Sequence, residues 1–124
     1  MLFCMSRGQV LPRVESAAEN EFIYAILDTL DGAGQVWLAA TDLVQEGVWG
    51  WATGTNLAGS VEFYDAQAGP IAGAFNDWGP GQPDDNANAV SGQDCGVMWE
   101  ASSGWQWDDL ACETPLDRVV CEDP

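Results

Sequence analysis

The chain has 124 residues, enough for one domain with a modest core, and carries 20 acidic side chains against three arginines, no lysine and no histidine, for a formal net charge of −17. Phosphate recognition needs basic groups, so nucleic acid and anionic membrane surfaces are excluded as partners, and no apolar run approaches a membrane span. The absence of histidine removes the Ser-His-Asp triad, the Cys-His dyad and the commonest zinc sites; a carboxylate pair that hydrolyses a glycoside stays open as the enzymatic alternative to the expected non-catalytic binding module.

The opening "MLFCMSRGQVLPR" lacks the basic n-region and long apolar h-region of a signal peptide. A short helix can precede Gly8. The first clear element starts at "SAAE", residues 16–19, a capping box in which Ser16 accepts from the Glu19 amide. Phe22, Ile23, Ile26, Leu27 and Leu30 then fall on one apolar stripe, predicting a helix over about 17–30 that stops at Asp31-Gly32. "QVWLAA" (35–40) and "VWGWAT" (48–53) are rich in β-branched and aromatic residues and predict strands.

After Thr53 nothing regular is predicted for some forty residues. Loops of that length are uncommon in compact domains and usually functional. Phe63, Tyr64, Phe75 and Trp78 can anchor it to a core. Strands are predicted again at 95–99 and 105–109, joined by a turn, and a last one at 117–122, "DRVVCE". A turn centred on Ser103-Gly104 sets Cys95 opposite Cys112, and one centred on Ser102 sets it opposite Asp109. Either brings Cys95 near Cys112 and leaves Cys4 for Cys121. The alternative to two disulfides is four buried thiols. Four cysteines without CxxC spacing favour disulfides and an oxidising compartment. Closing the Cys4–Cys121 loop stabilises by about 4–5 kcal/mol in the chain-entropy model.

The long loop contains "GPGQPDDN", 79–86, which collects Gln82, Asp84 and Asp85 around a proline. "SGQDC" adds Gln93 and Asp94, and "WDDL" adds Asp108 and Asp109. The predicted hairpin brings the last two acidic groups close together. Crowded carboxylates repel unless a cation or protons neutralise them, and calcium takes six to eight oxygens of this kind. Turn and cap aspartates are the competing explanation.

The chain resembles a C-type lectin-like domain over nearly its full length. The resemblance rests on Cys4, Gly8, Leu11, Val14, Ser16, Glu19 and Phe22 at the start. It continues through "VWLAATDLVQEGVWGWATG", "NDWGPGQPDD" and "DCGVM…GWQWDDLAC…VVCE". It implies an α+β double-loop fold with two small antiparallel sheets, flanking helices and a long calcium-binding loop. It also implies disulfides Cys4–Cys121 and Cys95–Cys112 and a cis Pro83. It implies a sugar-site calcium at Gln82, Asp84, Gln93, Asp108 and Asp109, where Gln82, Asp84, Gln93 and Asp108 also meet the sugar. A second calcium is implied at Asp42, Glu46, Asp85 and Asp94. Asp84 and Asp109 are expected as surface ligands rather than core residues. The triplet Gln82-Pro83-Asp84 resembles the galactose-type motif, so a glycan with terminal galactose is the expected partner. Expected localisation is secreted or cell-surface, and self-assembly into a homo-oligomer is left open.

This chain departs from the family pattern by having Gln93 where Glu is usual and Asp108 where Asn is usual. Three carboxylates are kept, but one charge moves across the site. The stretch "DNANAV" after the triplet carries no aromatic to stack on a sugar; Trp99 and Trp105 are the substitutes on offer, with core packing as their competing role. Relatives also begin with a strand that pairs with the last one. Only three residues precede Cys4, so the domain, 1–124, is expected to lack that strand and to leave "RVVC" as an open edge. The alternative to a lectin is a domain of the same fold that binds a protein surface, with calcium structural.

Overall fold

The computed structural model describes residues 2–30, 34–53, 56–85, 92–102, 104–116 and 118–124. Two helices, α1 (Leu2–Met5) and α2 (Ala17–Asp28), precede one antiparallel sheet. Its strands are β1 (Gln35–Gln45), β2 (Val48–Thr53), β3 (Asn56–Asp65), β4 (Gly69–Pro70), β5 (Cys95–Ala101) and β6 (Gly104–Leu110), in the order β4-β3-β2-β1-β5-β6. Among the described residues no helix is long and apolar enough to cross a membrane.

Helix α2 starts where the capping box sets it: Ser16 is extended and its hydroxyl accepts the Glu19 amide at 3.2 Å. The helix ends at Asp28, with Thr29 as its C-cap, two residues short of the expected stop; Asp31-Gly32 lies outside the described residues. Only two of the five residues of the apolar stripe are covered. Ile23 and Leu27 are buried, whereas Phe22 is 68 % exposed and Ile26 41 %.

The forty-residue loop expected after Thr53 is corrected by β3. This strand pairs with β2 from Thr53↔Asn56 to Val48↔Asp65, with register shifts on the way. Its backbone is held by the β2 ladder, which weakly strand-forming residues such as "NLAGS" do not announce. The aromatic anchors of that segment do bind the core. Phe63 stacks on Trp51 at 4.3 Å, and Phe75 and Trp78 meet the edge or face of fully buried Trp107 at 5.8 Å. The strand expected at 117–122 is also corrected. Among the described residues its pairing is a single bridge, Val10↔Glu122. Valines favour a strand only when a neighbour offers a ladder. The segment around Val10 therefore meets the chain end that was expected to stand as an open edge.

In the β5–β6 hairpin Ala101 pairs with Gly104 and Cys95 with Leu110. This register lies between the two expected ones. It still leaves Cys95 and Cys112 with Cα atoms 5.1 Å apart and disulfide-bonded, while the Cys4–Cys121 disulfide ties the two ends of the chain.

Candidate functional site

Hairpin β5–β6 delivers two acidic groups to one end of the sheet, because Val97 faces Asp108 and Gly96 faces Asp109 across the ladder. The root of the long loop is laid against β6 by two backbone bonds, Trp107 N–H to the Asp77 carbonyl and Gly79 N–H to the Trp107 carbonyl, both 2.9 Å. From this root the chain runs to Gln82-Pro83, whose peptide is cis, as the resemblance implies. The loop then closes onto Asp109, which accepts the backbone amides of Asp84 at 3.1 Å and Asp85 at 2.6 Å.

The result is one cluster. Asp84, Asp108 and Asp109 each bring a carboxylate oxygen within 4.8 Å of the others. Gln82 adjoins Asp84, its amide nitrogen 3.5 Å from Asp84 Oδ2, and its carbonyl oxygen Oε1 is buried without a hydrogen-bond partner among the described residues. Asp109 is not the surface ligand expected from sequence: it is wholly buried. Burial pushes its carboxyl up to about 7, with the nearby charge of Asp84 acting in the same direction. Burial, then the charge of Asp84, also raises Asp108. Gln93 is tied to the loop through its backbone amide, which donates to Asp85 Oδ1 at 2.8 Å.

A second cluster lies where β1 leaves the sheet. Asp42, Glu46 and Asp94 bring carboxylate oxygens within 4.8 Å of one another. The Asp42 amide and the Thr41 hydroxyl both donate to the Asp94 carbonyl, at 3.2 and 2.8 Å, so β1 and the approach to β5 are fixed together. Asp42 is buried, and one of its oxygens accepts from Gly47 at 2.9 Å while the other, Oδ1, has no partner. Burial and the adjacent Glu46 push its carboxyl up to about 8. Asp85, expected in this group, borders these three carboxylates. Its Oδ1 is engaged by Gln93, and a Cβ at Gly92 would sit 3.0 Å from that atom and 3.5 Å from Asp94 Oδ1.

Both clusters fit a hard cation. In each, burial raises at least one carboxyl, Asp109 and Asp108 in the first and Asp42 in the second, and one buried side-chain oxygen, of Gln82 or of Asp42, has no hydrogen-bond partner among the described residues. Aromatic stacking is a different matter. The Trp105 ring stacks on Tyr24 at 5.9 Å and its Nε1 donates to Asp28, so it belongs to the α2 contact; Trp99 faces Gln35 and Gln106 on the ladders, four residues from the Cys95 end of β5.

Sequence reasoning missed one buried polar hub behind the first cluster. Asp77 Oδ2 accepts from Asn20 Nδ2 at 2.8 Å and from the Tyr24 hydroxyl at 2.7 Å, while Asn20 Oδ1 accepts from Trp107 Nε1 at 3.0 Å. Burial, followed by Asp77, pushes the Tyr24 phenol up. The signal in the sequence was the polar Asn20 on the buried face of an otherwise apolar helix stripe.

A family model described as "Lectin C-type domain" matches residues 1–123. The human protein "C-type lectin domain family 4 member K" is 31 % identical over 124 residues, covering 98 % of this chain and 31 % of that protein. Rat asialoglycoprotein receptor 1 is 30 % identical over 122 residues, covering 97 % of this chain and 34 % of that protein. The chain thus spans about a third of the length of these curated relatives. Among solved structures, the human scavenger receptor C-type lectin carbohydrate-recognition domain superposes with a TM-score of 0.63. It is 24 % identical, covering 91 % of this chain and 71 % of that one.

Proposed function

We propose that this chain, which belongs to the C-type lectin domain family, binds carbohydrate through calcium held at Gln82, Asp84, Asp108 and Asp109. The observation that carries the reading is the convergence of the Asp84, Asp108 and Asp109 carboxylates, with the Gln82 amide beside Asp84 and its buried Oε1 without a hydrogen-bond partner among the described residues. Calcium supplies a cation to which vicinal sugar hydroxyls can add their own oxygens. The protein's part is to orient those hydroxyls. The Gln82 amide nitrogen can donate to one, and Asp84 and Asp108 can accept from them. The fully buried Asp109 holds the loop in register through the amides of Asp84 and Asp85.

The amide-before-proline, carboxylate-after-proline order favours galactose-type hydroxyl geometry. A glycan ligand is in keeping with the rat relative, whose name is that of a receptor for glycoproteins. Gln93 contributes as a further ligand and hydroxyl partner in this reading. Asp42, Glu46 and Asp94, bordered by Asp85, hold a second calcium that fixes β1 against the approach to β5. The domain works outside the cell, where calcium is plentiful and both disulfides persist. Retention of the purified chain on a galactose resin in calcium, with release by chelator, tests the reading. Passage through that resin in calcium overturns the galactose assignment, and passage through a broad glycan array as well overturns carbohydrate binding.

One observation favours a second reading, a protein-binding domain with structural calcium. Trp105 is committed to Tyr24 and Asp28, and no aromatic follows the triplet in the sequence, so sugar stacking has no evident provider. Calcium-dependent melting together with silence on the glycan array is the result that selects it.

A further inference from the structure

The exposed part of the α2 stripe does not stand on open surface. Phe22 and Ile26 line a groove of about 400 Å³ together with Val120 and Cys121. A second cleft, of about 500 Å³, adjoins it, with Glu19 and Glu122 on the wall of both. Glu15 and Asp123 also line this second cleft. Four carboxylates therefore stand beside an apolar trough.

Among the described residues that line the two clefts there is one cationic side chain, Arg13, and its guanidinium is already paired with Glu15 at 3.0 Å. The Glu122 carboxylate accepts the Arg13 backbone amide at 2.9 Å and is paired with no cationic side chain among the described residues. Burial raises its carboxyl, and the charges of Glu19 and Glu15 add to the effect. The local excess of negative charge is thus set against bulky apolar side chains that water covers poorly.

We infer that this double cleft docks a cationic polypeptide segment of a partner protein, with apolar side chains seated against Phe22 and Ile26 and lysine or arginine beside Glu19 and Glu122. Charge complementarity selects the occupant. A second copy of this chain is a poor fit, since it has three arginines, no lysine and a net charge of −17. An anionic lipid surface is repelled by the same carboxylates. The apolar trough supplies affinity through burial, and the acidic rim supplies orientation and encounter rate. The inference is independent of the calcium clusters.

The test uses the disulfide-bonded chain and a fluorescent synthetic peptide of alternating leucine and lysine, read by anisotropy. A serine–lysine peptide of equal charge is the first control. Saturable binding of the leucine–lysine peptide is expected, weakened about tenfold or more by Phe22→Ser with Ile26→Ser, because both side chains lose their burial in the complex. Glu19→Gln with Glu122→Gln should also weaken it. The second of these changes keeps a carbonyl oxygen as acceptor for the Arg13 amide, and Glu19→Gln alone serves if the pair fails to fold. Removing the same charge elsewhere, by Asp65→Asn with Glu100→Gln, should leave binding unchanged. Equal binding of the serine–lysine peptide, or equal loss from the remote pair, would reduce the effect to bulk charge and overturn the inference. A parent dimer in sedimentation that dissociates in the Phe22→Ser, Ile26→Ser variant would assign the groove to a second copy and overturn it too.

Discussion

The carboxylate of Asp109 accepts the backbone amide of Asp85 at 2.6 Å and that of Asp84 at 3.1 Å. One buried side chain on β6 therefore holds the acidic loop against the hairpin, besides lying in the carboxylate cluster. Asp84 is exposed and makes no comparable tie. The two residues should separate under mutation. Asp84→Ala should leave the melting temperature in chelator close to the parent's and weaken calcium binding at least tenfold. Asp109→Ala should weaken calcium binding and also cost about 1–3 kcal/mol of stability in chelator, since two loop amides lose their acceptor. Calorimetry of binding and chemical denaturation of both variants check this; equal stabilities in chelator would remove the anchoring role.

Stability should fall as pH rises in the absence of calcium and not in its presence. Folding raises Asp109 to about 7 and Asp42 to about 8 from an ordinary value of 3.8. The folded, calcium-free protein thus binds more protons than the unfolded chain between those values. Its stability is fully present below the ordinary carboxylate range and is lost as pH rises through about 7 and about 8. Calcium binds the deprotonated carboxylates, so in excess calcium the loss should vanish or reverse. Melting temperatures across this range, with calcium and with chelator, should diverge as pH rises. Parallel curves would contradict the prediction.

Gln93 and Asp108 should be energetically coupled through one ion if Gln93 belongs to the sugar-site set. Gln93→Glu adds a carboxylate and should tighten calcium binding. Adding Asp108→Asn restores three carboxylates, and this double variant should bind galactose at least as well as the parent. Titration of calcium and galactose into the four proteins of the cycle gives the coupling. A value below about 0.5 kcal/mol would place the two residues at separate sites.

The Asp77 hub should matter to the fold more than its surface neighbours. Asp77→Ala strands the Asn20 amide and the Tyr24 hydroxyl and should cost about 2–4 kcal/mol, whereas Tyr24→Phe removes donor and desolvation together and should cost about 1 kcal/mol. Denaturant unfolding of each variant and of the pair should show non-additivity, because the two share one hydrogen bond. A cost for Asp77→Ala no larger than that for Tyr24→Phe would show that the hub is dispensable.

The sequence by itself determined whatever rests on local pattern or on short-range chemistry. The Ser16 cap, the α2 stripe, the aromatic strands β1, β2, β5 and β6 and the pairing of four cysteines were all legible, because each depends on residues a few positions apart or on an even count of thiols. The two acidic groups on "QPDD" and "WDDL" were legible as candidate ligands, since clustered carboxylates need neutralising. Only the tertiary structure decided that "NLAGSVEFYD" is a strand and that the described residues 118–122 are not, because a ladder partner exists for the first and a single bridge for the second. It also decided that Phe22 and Ile26 remain outside while Ile23 and Leu27 go in, since periodicity fixes a face but not how much of it a neighbour covers. The tie of Asp85 to the Gln93 amide, and the burial of Asp109, come from the same source: side-chain direction is set by a closed loop whose amides must find acceptors, and that demand appears only when the loop meets β6.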